Sequence, residues 1–156
     1  MSKCTIFSTS EEIERFMGDV CPVIMDFTYG DEIEIRNIET ALLELLENAL
    51  EHGNKREAHR KITIEWEINR ESLTFSIEDE GSSTQPKIQA ECPPLSSARG
   101  RGLWSIVDMG FALSFSEQVN KVTMVIKSKN SKDIHSDIDD HKGKTNSISM
   151  CKHWRR

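Results

Sequence analysis

Seven apolar residues, Ile38, Ala41, Leu42, Leu45, Leu46, Ala49 and Leu50, recur at i, i+3, i+4, i+7, i+8, i+11 and i+12. That spacing fits an α-helix with one apolar face, and such a stripe has to be buried against a second layer. The same stretch reads Glu44-Leu45-Leu46-Glu47-Asn48-Ala49-Leu50-Glu51-His52-Gly53. Glu44 and Asn48 are one turn apart on one face. Glu44, Glu47 and Glu51 are expected to point away from the stripe, Asn48 to stand at its border, and Gly53 to stop the helix. Asn is a poor helix former with nothing to cap in mid-helix, which a metal or phosphate role would explain. The carboxylates by themselves fit an ordinary solvated acidic face equally well.

The flanking segments supply the second layer. Thr5-Ile6-Phe7 is a short strand candidate. Ser10 is placed to cap a helix with apolar positions Ile13, Phe16, Met17 and Val20, which Pro22 ends. Val23 to Phe27 reads as a second short strand and Tyr29-Gly30-Asp31 as a turn. Beyond the long helix, Ile62, Ile64, Trp66 and Ile68 alternate, as do Leu73, Phe75 and Ile77, with Asn69 to Ser72 as the hairpin turn. Residues 82–99, with Pro86, Pro93 and Pro94, read as a loop. Leu103 to Met109 is a short helix. Phe111, Leu113 and Phe115, then Val122, Met124 and Ile126, form a second hairpin. Antiparallel strands with helices on one face give an α+β fold, a two-layer α/β sandwich with a mixed, mostly antiparallel sheet.

A length of 156 residues sets the expectation of one folded unit. Residues 1–127 hold 13 Lys+Arg against 22 Asp+Glu, and residues 128–156 hold 7 against 4. An acidic body argues against nucleic acid as the main partner but leaves room for a single nucleotide. Residues 128–156 lose all periodicity and are expected to be a disordered tail whose Lys152, Trp154, Arg155 and Arg156 are solvated. No apolar leader follows Met1-Ser2-Lys3-Cys4, and no run nears the ~18 residues of a membrane span. The scattered Cys4, Cys21, Cys92 and Cys151 have no C-x-x-C or zinc spacing. The expectation is a cytoplasmic protein with free thiols, not associated with a membrane.

Two further motifs bear on chemistry. Asp79-Glu80-Gly81 ends a strand with an acceptor suited to an exocyclic amine such as that of adenine, followed by a glycine that lets backbone approach a flat base. A plain strand-to-turn junction fits it too. Arg99-Gly100-Arg101-Gly102-Leu103 opens a helix with amide donors and arginines suited to phosphate. A basic loop is the alternative reading. It is not a Walker A loop, since no Gly-Lys-Ser/Thr occurs.

In order and spacing the three motifs resemble the GHKL, or Bergerat-fold, ATPases over residues 5–127. Within them the chain looks most like the small bacterial anti-sigma factor serine/threonine kinases, whose helical box often ends in His-Gly as His52-Gly53 does here. The resemblance implies a histidine kinase-like ATP-binding domain over residues 1–127 that takes ATP and Mg²⁺. It implies Glu44 as the general base toward a substrate hydroxyl and Asn48 as the Mg²⁺ ligand. Asp79 and Gly81 would contact adenine, and Gly100, Arg101, Gly102 and Leu103 the phosphates. Thr123 would place a hydroxyl near the adenine. Ser83 stands where the fuller pattern has a glycine. The implied partners are an anti-anti-sigma protein as substrate, a sigma factor held in complex, and a second copy in a homodimer. A nucleotide-controlled binding module and a detached histidine-kinase catalytic domain are the competing readings.

Overall fold

The computed structural model describes residues 1–81, 101–118 and 120–129. In chain order these form β1 (Ser2–Phe7), α1 (Ser10–Phe27), α2 (Glu32–Asn48) with a π-helical turn (Ala49–Gly53), β2 (Lys61–Ile68), β3 (Ser72–Asp79), α3 (Arg101–Asp108), β4 (Ala112–Phe115) and β5 (Lys121–Lys127). The strands make one five-stranded sheet in the order β1-β2-β3-β5-β4. The expected mostly antiparallel sheet is found, and all four described pairings are antiparallel.

One face of the sheet is apolar and carries the helices. Ile62, Ile64, Leu73, Phe75, Ile77, Met124 and Ile126 are buried on it, against the Ile38-to-Leu50 stripe of α2 and the Ile13, Phe16, Met17, Val20 and Ile24 stripe of α1. Phe16 meets Trp66 edge to face, with ring centroids 5.9 Å apart. α3 is anchored by buried Ile106, with Leu103 and Met109 packed on the same core. The other face is polar. There Thr5 lies beside Thr63, Ser76 beside Thr123, and Glu65 bonds both Lys3 and Lys121.

Two features of α1 differ from the sequence reading. Thr9, not Ser10, is its cap, with Oγ1 accepting from the Glu12 N–H at 3.3 Å. Residues 23–27 are helix and not a strand, because α1 runs through Pro22. The stripe explains this: Cys21, Ile24 and Phe27 continue the period of Ile13, Phe16, Met17 and Val20, and all are buried. Proline in a helix withholds its N–H from residue i−4 and crowds that residue's carbonyl. Here residue i−4 is Gly18, and both Gly18 and Pro22 are exposed, so water can take the released carbonyl. Core burial on the opposite face outweighs the defect.

The α1–α2 turn contains Tyr29 and Gly30 at φ 53° and 80°. Asp31 caps α2 by accepting from the Ile33 and Glu34 N–H groups, both at 3.0 Å. At the other end, Ser128 and Lys129, assigned to the tail by sequence, are tied to the body. Ser128 N–H donates to the Glu71 carbonyl, and Lys129 Nζ lies 3.5 and 3.4 Å from Asp31 and Glu34. The loop 82–99 and the tail beyond Lys129 lie outside the described residues.

Replacing the exposed proline should therefore stabilise the fold. Pro22→Ala restores a donor for the Gly18 carbonyl and is expected to raise stability by about 1–3 kcal/mol. Thermal or urea unfolding would show it, and a lowered midpoint would overturn this account of α1.

Candidate functional site

The long helix ends directly over the end of β3. Its last turn widens, so that the Asn54 N–H reaches the Ala49 carbonyl at 2.7 Å, five residues back. Such π-turns insert one residue of extra backbone and recur at functional sites. The widened turn lays the backbone of Gly53 on the Asp79 carboxylate and on Gly81. A Cβ built on Gly53 would collide with the Asp79 carboxyl, and one built on Gly81 would collide with the Gly53 carbonyl. Gly53 is therefore there for close approach. It is not a left-handed stop, and the left-handed residues are Lys55 and Arg56 just beyond it.

Asp79 is held from three directions. Its N–H donates to the Asn120 carbonyl at 2.8 Å, and Asn120 Nδ2 returns a 3.3 Å bond to the Asp79 carbonyl. Its Oδ1 accepts from the Gly81 N–H at 2.8 Å. Burial pushes the Asp79 carboxyl above the ordinary range. The Gly81 N–H opposes that shift, Glu78 adds to it, and Arg60 opposes it.

Asn54 is the residue the sequence reading missed. It is fully buried, with Nδ2 donating to the Lys61 carbonyl and Oδ1 accepting from the Glu80 N–H, both at 2.9 Å. One amide thus joins the end of the π-turn, the start of β2 and the end of β3. The signal available was a polar residue next to the helix stop, a position that sequence alone assigns to solvent.

Glu44 and Asn48 meet as the helical spacing requires, with Asn48 Nδ2 3.4 Å from Glu44 Oε1. Glu44 does not share the solvated face of Glu47 and Glu51. It is half-buried because the first turn of α3 lies on it, and a Cβ on Gly102 would overlap its carboxyl group. Arg101 is exposed at the start of α3, while Leu103 is half-buried and packs on the core. Gly100 lies outside the described residues, as does the loop containing Ser83.

Thr123 is not brought to this cluster. It pairs in register with Ser76 and bonds its hydroxyl at 2.9 Å on the polar face of the sheet, away from the helices. The alternation of β5 gives the helix-facing positions to Val122, Met124 and Ile126, so no hydroxyl of that strand faces Asp79. The structure thus brings together Glu44, Asn48, Gly102 and, one turn on, Gly53, Asp79 and Gly81. Among the described residues no group of three or more His, Cys, Asp or Glu is placed to hold a metal by itself. No helix among them is long and apolar enough to cross a membrane.

Loss of the Asn54 amide should open the junction. Asn54→Ala leaves the Lys61 carbonyl and Glu80 N–H unpaired in a buried place, with an expected cost of about 2–4 kcal/mol. Denaturant unfolding measures it, and a cost near zero would mean that the three strand and helix ends hold together without the clamp.

No curated protein matches the chain at a significant level. The family model of the histidine kinase-like ATPase domain matches residues 21–126, a span that starts within α1 and ends in β5. That span is well over half of the sequence and contains every element that builds the cluster, so the chain belongs to the histidine kinase-like ATPase domain family.

Proposed function

We propose that the chain is an ATP-dependent serine/threonine-protein kinase of the anti-sigma type, which phosphorylates an anti-anti-sigma protein and holds a sigma factor in complex. The observation that carries the reading is the half-buried Glu44 carboxylate, one helical turn from Asn48 and pressed against Gly102 at the opening turn of α3. A module that only bound nucleotide would need donors for phosphate but no carboxylate beside them.

The residues present fit ATP and Mg²⁺. The Gly53–Gly81 contact leaves a side-chain-free surface beside the Asp79 carboxylate. Asp79 Oδ1 is engaged by Gly81, and its second oxygen is suited to accept from an adenine amine. Asn48 uses its Nδ2 toward Glu44, which leaves its carbonyl oxygen for Mg²⁺. Magnesium held by few protein ligands draws the rest from phosphates and water. Bound there, it would neutralise phosphate charge. Arg101 and the first N–H groups of α3 would orient the phosphates.

Within this reading Glu44 accepts the proton of the substrate serine or threonine hydroxyl. That oxygen forms its bond to the γ-phosphorus as the bond to the ADP oxygen breaks. Orientation and charge neutralisation supply most of the rate in phosphoryl transfer, and the base adds about 10²–10⁴-fold. The test is incubation with ATP, Mg²⁺ and the products of neighbouring genes, reading phosphoserine or phosphothreonine and complex formation. Glu44→Gln should lower transfer by about 10²–10⁴-fold with ATP affinity kept near wild type. Gly102→Ala should act in the same direction at nearly unchanged melting temperature, because its methyl group meets the flexible Glu44 side chain from Cγ outward and not backbone. Transfer that survives Glu44→Gln removes Glu44 as the base. ATP-dependent complex formation without transfer points to a nucleotide-controlled binding module, and phosphate on a partner histidine points to a histidine-kinase catalytic domain.

Asp79→Asn separates stability from binding. The raised pKa of Asp79 means the fold disfavours its ionised form. That cost is present in full above the raised value and vanishes below the unfolded carboxylate value. The variant should thus unfold no earlier than wild type at pH 7, and any advantage should shrink as pH falls through that window. Its ATP affinity should drop about tenfold or more, since a charge-assisted acceptor for the adenine amine is lost. Calorimetric titration and thermal unfolding across pH read the two effects, and unchanged affinity would remove Asp79 from the adenine contact.

A further inference from the structure

β2 and β3 separate at the edge of the candidate site. Their register runs as far as Ile62 opposite Asp79, so Lys61 and Glu80 would be the next pair. In an antiparallel ladder those two residues would exchange N–H and C=O bonds directly. Here all four groups go to side chains. The Asn54 amide stands between the strands, donating from Nδ2 to the Lys61 carbonyl and accepting at Oδ1 from the Glu80 N–H, both at 2.9 Å. The Lys61 N–H donates to the Glu80 carboxylate at 2.8 Å, and the Glu80 carbonyl accepts from Arg60 Nη1 at 3.4 Å. The orientation of the Asn54 amide is fixed by its partners, since a carbonyl can only accept and an N–H can only donate.

The other side of the same peptide is held in the same way. Asn120, just before β5, donates from Nδ2 to the Asp79 carbonyl at 3.3 Å. Its Oδ1 accepts from the Ser116 hydroxyl, also at 3.3 Å. The peptide that joins Asp79 to Glu80 thus has its C=O on one asparagine side chain and its N–H on another. That peptide sets where the Asp79 carboxylate and the Gly81 N–H stand, and the two meet at 2.8 Å through Oδ1. A carboxylate selects one directed donor on a base only if it cannot shift to follow a different base, and a fixed supporting shell provides that restraint.

We propose, on the reading of Asp79 as the adenine acceptor, that Asn54 and Asn120 are positioning residues for base recognition. They grip the Asp79–Glu80 peptide from both sides and so aim the second Asp79 oxygen at the exocyclic amine of the purine. Both act on backbone, and their effect on nucleotide runs through the Asp79 carboxylate.

Calorimetric titration of the full chain tests this in Mg²⁺, with ATP and with purine riboside triphosphate, which lacks the 6-amino group. Wild type should bind ATP about tenfold more tightly than the amine-free nucleotide. Asn54→Ala and Asn120→Ala, each measured below its melting transition, should weaken ATP by about three- to tenfold, the size of one hydrogen bond. Their affinity for the amine-free nucleotide should not change. Weakening of both nucleotides alike is the mark of a merely structural role and overturns the proposal. In an Asp79→Asn background the same substitutions should cost no further ATP affinity, and an additive loss counts against positioning through that carboxylate. Where Asn54→Ala does not fold, Asn120→Ala decides alone. Without nucleotide, amide exchange at Gly81 should quicken in both variants, and unaltered exchange there also overturns the role. Equal binding of the two nucleotides by wild type removes the adenine reading and this role with it. A wild-type preference for ATP that both variants keep removes the positioning role alone.

Discussion

The body is organised around a contact between two backbones. Gly53 lies on Gly81 and on the Asp79 carboxylate with no space for a Cβ on either glycine. For that to happen α2 has to arrive at the end of β3 at one height and one rotation. The apolar stripe sets the rotation, because Leu42, Leu45 and Leu46 must face Ile64, Phe75 and Ile77. The π-turn sets the height, by adding backbone where an α-helical turn would fall short. Asn54 then locks the junction through the Lys61 carbonyl and the Glu80 N–H. Burying an amide in this way is favourable only because its donor and its acceptor both find partners.

Parts of this were legible in the sequence for a simple reason. The α2 stripe, the 62–68 and 73–77 alternations and the two glycine motifs are local patterns, and local patterns survive folding. What the sequence hid depended on contacts between distant segments. The resemblance singles out Glu44 from Glu47 and Glu51, but its half-burial comes only from α3, more than fifty residues on, laid against it. Gly53 reads as a helix stop, whereas its missing side chain answers to Asp79 and Gly81. Asn54 carries no pattern at all, since its importance comes from three backbone segments meeting at one amide.

The errors at Pro22 and Thr123 show two rules losing to a stronger one. Proline disfavours a helix interior, but the cost is limited when the orphaned carbonyl faces water, and seven buried α1 residues outweigh it. The stripe through Cys21, Ile24 and Phe27 was present in the sequence, and the proline drew attention from it. Thr123 was placed by analogy with the strand that carries it. Alternation decides otherwise: the buried Met124 fixes Thr123 on the opposite face, and Ser76 satisfies its hydroxyl there.

Electrostatics of the helix end bears on which form of nucleotide the cluster accepts. Partial burial pushes the Glu47 carboxyl above its ordinary range, and the nearby Glu44 and Glu51 push it further. Three carboxylates on about two turns of helix therefore repel one another, and their field would repel a bare polyphosphate as well. Under the proposed function, a divalent cation held by the Asn48 amide would offset that field where the phosphates would lie. On the far side, Arg101 and the opening N–H groups of α3 present positive charge. Under the proposed function, an acidic helix and a basic helix start facing each other favour the metal–nucleotide complex over either component alone.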